Sequence, residues 1–257
     1  MKKQFSIRTH FSKLTSDIAV KIKRTLFEFS LVFLAVFLGF WADKWREELF
    51  EREREGQFMN SMYRDLQSDS ANFALNLTKS NEVIRSMHQI ISLLNSPSKF
   101  DSALSIYHYA RSITLTAPFY QPNQRTYEQM KYSGELRLIK DIAVADSVTG
   151  YYNSLAWILT QDQYIHERLG DFMGGVENIF DGYVFLGILE KRPDVELGKI
   201  LPKERYLTRD KLLFNKLFIR TQYFSGACKA TITGADQALT KCRNLMLLLK
   251  RKYVIQP

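Results

Sequence analysis

Side chains that could do chemistry are sparse in these 257 residues and rarely meet at useful spacings. The four histidines, His10, His88, His108 and His166, include no pair at i,i+3 or i,i+4. His166 lies in YIHERLG, which is not the HExxH arrangement that seats zinc on a helix face. With no CxxC either, a zinc site would have to gather ligands from separate elements. Cys228 and Cys242 are fourteen residues apart in one expected helix, about 21 Å at 1.5 Å per residue. A disulfide needs Cα atoms within about 7 Å, so both thiols read as small buried hydrophobes. The glycines of GDFMGGVENIFDG fit neither a dinucleotide nor a P-loop pattern, and no GxSxG occurs. No cofactor and no metal site is expected.

Two places remain. Asp162 is the acid that interrupts an apolar stripe, with His166 one turn on, the kind of pair that general-base chemistry uses. No nucleophile is fixed nearby, so the reading preferred for the same residues is a helix-face hydrogen bond at the edge of a bundle, with Glu167 in solvent. The segment FYQPNQRTYEQMKYSGELRLI concentrates Tyr120, Gln121, Asn123, Gln124, Arg125, Tyr127, Tyr132 and Arg137 where helical patterning lapses. Loops on rigid scaffolds are where recognition tends to sit. Of these, Tyr120, Gln124, Arg125, Tyr127 and Arg137 form the candidate partner-binding loop. The bland reading has the same groups capping helices and packing one end of the fold.

The elements that would position such a loop begin with Leu26–Trp45, LFEFSLVFLAVFLGFWADKW. Phe29 to Ala42 is an uncharged run of fourteen residues, and Leu26, Phe27 and Trp45 extend it toward the 17–25 residues that cross ~30 Å of hydrocarbon. Trp41 and Trp45 sit at one end, as interfacial aromatics do. Residues 1–25 hold seven basic groups against one acid, net +6 of the formal +9, leaving +3 for the other 232 residues. The basicity therefore belongs to the tail, which argues against nucleic acid as a partner. By the positive-inside rule the N-terminus is cytoplasmic and the rest lies outside, as an uncleaved signal anchor. In the tail, Ile7, Phe11, Leu14, Ile18 and Ile22 make one apolar helical stripe suited to lying on an anionic leaflet. Glu28 is a candidate membrane contact, although Arg24 one turn back can neutralise it. Ala35 and Gly39 form a small-xxx-small pair that would let a second helix approach, and Trp45 completes this contact set.

Beyond Trp45 the charges crowd into a stem. From Met59 a three-four alternation then runs through Tyr63, Leu66, Ser70, Phe73, Leu77, Ser80, Ile84, Met87, Ile91 and Leu94. That is a coiled-coil or bundle seam, stopping near Asn95-Ser96-Pro97. Asp101 is expected to cap a short helix to about Ile113, and Gly134 to stop a helical turn over Thr126–Tyr132. Asp141 caps a second long helix striped by Val148, Tyr152, Leu155, Leu159, Asp162, Ile165, Leu169, Met173, Val176 and Phe180. Residues 182–201 read as a loop. Thr208 starts a third long helix carrying Leu213, Leu217, Phe224, Cys228, Ile232, Ala235, Leu239, Cys242, Leu245 and Leu249. The expected fold is all-α: a single N-terminal transmembrane helix, a long stem helix and an elongated antiparallel bundle. Its expected parts are a basic amphipathic cytoplasmic tail (1–24), the span (25–45) and the outer bundle (46–257).

Glu28, the apolar run, and then Asp43-Lys44-Trp45-Arg46-Glu47 together resemble the start of an uncharacterised bacterial family of single-pass membrane proteins. In that family an acid opens the span and an Asn-Asn-Trp-Asn-Glu-like segment closes it; Glu28, Trp45 and Glu47 match. Thr126-Tyr127, Met130, Ser133-Gly134, Leu136 and Leu138-Ile139 resemble its second signature, a Thr-Tyr start leading to Ser-Gly and Leu-x-Leu-Ile. Ala35 stands where the family often has Gly, and Trp41 where it often has Gln. The resemblance implies a helical protein of the bacterial inner membrane with no established activity. The reading that results is a non-enzymatic, membrane-anchored scaffold, sensor or partner-binding subunit, its partners the bilayer and a protein or a second copy. The alternative is a membrane-anchored hydrolase with a site in 120–137 and an acid such as Glu128 or Glu135.

Overall fold

The computed structural model describes residues 4–196 and 206–255. Among them the chain is helical between its connections, with no strand and one isolated bridge, Phe180 to Tyr206. The helices are α1 (Gln4–Asn95), α2 (Ala103–Thr116), α3 (Arg125–Tyr132), α4 (Ile142–Val176), α5 (Gly182–Leu189), α6 (Pro193–Glu196) and α7 (Lys211–Lys252). A single 3₁₀ turn, Glu135–Leu138, joins α3 to α4. The chain divides into two compact units, residues 1–55 and 56–257. The charged stretch up to Glu55 falls in the first unit together with the apolar stretch.

In the first unit, α1 from Lys23 onward contains a stretch long and apolar enough to cross a membrane, and none of that stretch is buried. Consecutive turns pair their aromatics: Phe33 stacks on Phe37 at 6.4 Å and Trp41 on Trp45 at 5.9 Å between ring centroids. The tail stripe Ile7, Phe11, Leu14, Ile18 and Ile22 lies outside the described side chains.

In the second unit, contacts fix the direction of each leg. Partner numbers on α1 and α4 rise together: Asp69 takes the Tyr151 hydroxyl at 2.7 Å, while Ser80 and Asp162 meet at Tyr120, so these helices run parallel. Between α1 and α7 one number falls as the other rises, from Asn60 with Val254, through Leu66 with Cys242, to His88 with Lys229. Between α4 and α7 the same holds, from Gly150 with Lys241 to Phe172 with Phe224. The descending leg between α1 and α4 is composite: α2, then the extended strap 117–124, then α3. The bundle is therefore four-legged, up-down-up-down, with the middle of one leg made from extended chain rather than helix. The three long helices, with the short ones in the first connection, thus form an antiparallel bundle in which α1 and α4 run parallel to each other and α7 runs against both.

Local signals explain most boundaries. Asp141 caps α4 by accepting from the Val144 amide, and Asp210 caps α7 by accepting from Leu212. Gly134 ends α3 with φ +73°, a left-handed conformation that suits residues without a Cβ. Four expectations need correction. α2 starts after Ser102, without a side-chain cap, and runs to Thr116. α7 starts two residues past Thr208's neighbour Arg209, because Asp210 is the cap while Thr208 accepts from the Asp210 amide. The expected loop at 182–201 begins with α5, whose N-terminal amides at Tyr183 and Val184 bond to Asp181. Its remainder from 197 to 201 lies outside the described residues. The α4 stripe is also shifted. Leu159 and Met173 are 39% and 49% exposed, Tyr151, Ile158 and Phe172 are fully buried, and Phe180 falls past the helix end. The cause is that α4 packs against α1, the strap and α7, so its buried arc is wider than one seam.

Trp157 shows how closely α4 and α7 approach. Its indole lies across Gly234, where an added Cβ would collide with Cζ3. Gly234→Ala is expected to lower stability by about 1–3 kcal/mol by displacing the indole, and a thermal melt unchanged from wild type would contradict that.

Candidate functional site

The candidate loop is a strap bolted to two helices by carboxylate and amide oxygens. Pro118 and Pro122 have no N–H to satisfy. The amides around them each meet a different side chain: Phe119 donates to Asn76 at 2.8 Å, Tyr120 to Asp162 at 2.7 Å and Asn123 to Asp69 at 2.6 Å. Thr126 donates both its amide (3.1 Å) and its hydroxyl to Asp65 Oδ2. Asp65 Oδ1 further accepts from Asn123 Nδ2 at 2.9 Å and Arg125 Nη2 at 3.1 Å. Three of the strap's backbone amides, at Phe119, Tyr120 and Asn123, are thus satisfied by side chains of α1 and α4 rather than by a helical ladder.

Each candidate residue then has a place. Tyr120 is 1% exposed, its hydroxyl 3.0 Å from Ser80 Oγ and its ring against Phe73. Tyr127 stacks on Tyr152 at 4.1 Å and 7°, and Tyr152 meets Tyr151 edge-on. Gln124 is half-buried, its carbonyl taking the Glu128 amide. Arg125 and Arg137 are exposed, as is Tyr132 at 81%. The structure therefore brings Tyr120, Tyr127 and Arg125 together around α1 and α4, and leaves Arg137 apart on the surface. A hydrolase site here would need the segment's polar groups to converge on open space. The amides of Phe119, Tyr120, Asn123 and Thr126 and the side chains of Asn123, Arg125 and Thr126 instead meet Asp65, Asp69, Asn76 and Asp162. Glu135 accepts from Ser133 Oγ at 2.8 Å, and Glu128 is exposed.

Asp162 carries His166 as expected, but its main task is the strap. His166 Nδ1 is 2.7 Å from the Asp162 carbonyl oxygen and 3.5 Å from Oδ2, and the imidazole meets Phe119 edge-on. Asp162 is not alone in breaking an apolar stripe: Asp65, Asp69 and Asn76 of α1 are each at most 2% exposed. Their signal was in the sequence as polar residues one turn apart beside the Leu66–Phe73 seam, opposite a segment rich in donors.

Burial pushes the Asp69 carboxyl above its ordinary value, against the lowering effect of its bonds to Tyr151 and Asn123. Burial also raises Asp162, opposed by the Tyr120 amide and His166. An acid raised on folding holds its proton more readily in the folded state. Its contribution to stability therefore worsens as pH climbs from the ordinary 3.8 through the raised value, and stays unfavourable above it. Asp162→Asn keeps an acceptor for Tyr120 and removes the charge. The variant should melt at or above wild type at pH 7, with the gap closing toward pH 4; a gap that widens on acidification would refute this assignment.

At the two ends of the apolar stretch of α1, Glu28 pairs with Arg24 at 3.0 Å, both side chains exposed, and Asp43 pairs with Arg46 at 2.6 Å. No side chain lies within 4 Å of the Cβ position at Gly39, so the Ala35–Gly39 face is bare. Trp45 is exposed and stacked on Trp41. Cys228 and Cys242 are free and buried, and burial pushes both thiols up to about 12. Cys242 Sγ donates to the Leu66 carbonyl at 3.2 Å. Among the described residues no group of three or more His, Cys, Asp or Glu side chains is placed to hold a metal ion. No protein-family model, curated protein or solved structure matches the chain.

Proposed function

We propose that this chain is a non-enzymatic, single-pass protein of the bacterial inner membrane, of the kind its two signatures resemble, with residues 1–24 cytoplasmic and the bundle outside. It acts as a scaffold, sensor or partner-binding subunit, and its span joins a second span through Ala35 and Gly39. The observation that carries this reading is the apolar stretch of α1, which is unburied along its whole length and preceded by a tail of net +6. Such a surface is stable only in lipid or against another apolar helix. The charge bias supplies the direction. Arg24 beside Glu28 lets both charges reach the headgroups at the cytoplasmic margin.

Single cysteines placed from 31 to 41, on a Cys228→Ser/Cys242→Ser background, test the association. In native membranes, oxidative cross-linking should peak at positions 35 and 39 and fall between them, with yields reduced by Gly39→Leu. A flat profile at background level would reject a paired span. A cysteine in the tail that reacts with an impermeant maleimide in intact cells would reject the orientation.

A further inference from the structure

A cavity of about 340 Å³, partly open, lies where α2, α4 and α5 meet. Its wall is mainly apolar, from Met173, Val176, Phe180, Phe185 and Leu207, with one cation, Arg111. That volume is within the range of about 300–1,000 Å³ typical of small-molecule sites. The guanidinium of Arg111 lies 3.5 Å over the Phe185 ring and donates from Nη2 to the Phe185 carbonyl at 2.8 Å. Its Nε is enclosed and has no hydrogen-bond partner. Arg168 and Arg192 also have enclosed, unpartnered Nε atoms, but each has a carboxylate nearby, Asp171 at 2.7 Å and Glu190 at 3.8 Å. Arg111 has none within ion-pair distance among the described residues. A desolvated guanidinium fixed against an apolar wall is complementary to an anion that carries its own apolar body.

We infer that this cavity binds a single-chain amphiphile with one negative charge, a long-chain carboxylate whose headgroup meets Arg111 and whose alkyl chain lies along Val176, Phe180 and Phe185. Glu177, exposed at the rim, disfavours a second negative charge and so selects a carboxylate over a phosphate dianion. Thr114 does not compete for the headgroup, because its hydroxyl donates to the Arg111 carbonyl at 2.8 Å.

The test is equilibrium binding of labelled dodecanoate and dodecanol to the full chain in neutral maltoside micelles, corrected for protein-free micelles. Wild type should bind dodecanoate saturably and more tightly than dodecanol. Arg111→Met should weaken dodecanoate about tenfold or more while leaving dodecanol within twofold. Met173→Trp, which fills the cavity, should weaken both. Arg111→Lys keeps the charge and should retain a preference for the acid, which covers the case in which the methionine variant fails to fold. Dodecanoate binding no better than the micelle blank would overturn the inference. So would a preference for the acid that survives in a folded Arg111→Met protein.

Discussion

Replacing Asp65 with alanine is expected to cost the bundle about 3–5 kcal/mol, because the carboxylate serves four donors at once. Thr126 is 1% exposed, so its amide would be left without an acceptor and without ready access to water, while its hydroxyl would keep only Ser61 Oγ at 3.0 Å. Arg125, mostly in solvent, would lose little, since exposed ion pairs contribute about 0–1 kcal/mol. The Thr126 donors therefore dominate the loss. For a unit of this size the midpoint should fall by about 6–20 °C at 2–4 °C per kcal/mol, measured by circular dichroism in neutral detergent. Asp65→Asn retains acceptor oxygen and should lose clearly less. Equal losses for the two variants, or a loss below 1 kcal/mol for alanine, would mean that the strap is held by something else.

Arginine at both Leu34 and Leu38 is expected to abolish stable membrane insertion. Each exchange replaces a mildly favourable residue at the span centre with one costing about 2.5–3.5 kcal/mol, so the pair shifts insertion by about 6–8 kcal/mol. The double variant should leave the membrane pellet on alkaline carbonate extraction, whereas Leu34→Ala/Leu38→Ala should stay. Residues 56–257 form a separate compact unit, so the helical melt of the bundle should be nearly unchanged. A double-arginine protein that still resists extraction would show that Leu26–Trp45 is not the anchor.

The helical class, the long elements and most of their ends were legible because they follow from local rules. Asp141 caps α4, Gly134 stops α3, and α1 ends at Asn95 before the Ser-Pro pair. The third helix also kept its stripe, since Leu217, Phe224, Cys228, Ala235, Leu239, Cys242, Leu245 and Leu249 are all buried. The strap was not legible as such. Apolar residues at helical spacing define the seam of α1, and Asp65, Asp69 and Asn76 lie off that spacing. Their partners are amides 43 to 61 residues away that no periodicity connects. Phe119–Thr126 was recognised as unusual for the right reason, its lapse from helix and its polar content. Which way those groups face depends on the neighbours, and Tyr120, Asn123 and Thr126 turn inward.

The composite leg also bears on how the chain comes together as it is made. Its bonds to α1 and α4 all lie within the first 162 residues, whereas α1 meets α7 only across separations of 141 to 194 positions. Ribosomes add roughly 5–20 residues per second, so α1, the strap and α4 exist for seconds before α7 is complete. Over that interval the sides of Leu66, Gly175 and Trp157 that later receive Cys242, Leu217 and Gly234 stand uncovered. The last helix therefore acts as a closing stave, and a nascent chain stalled before Lys211 would display the full length of an unfilled apolar slot.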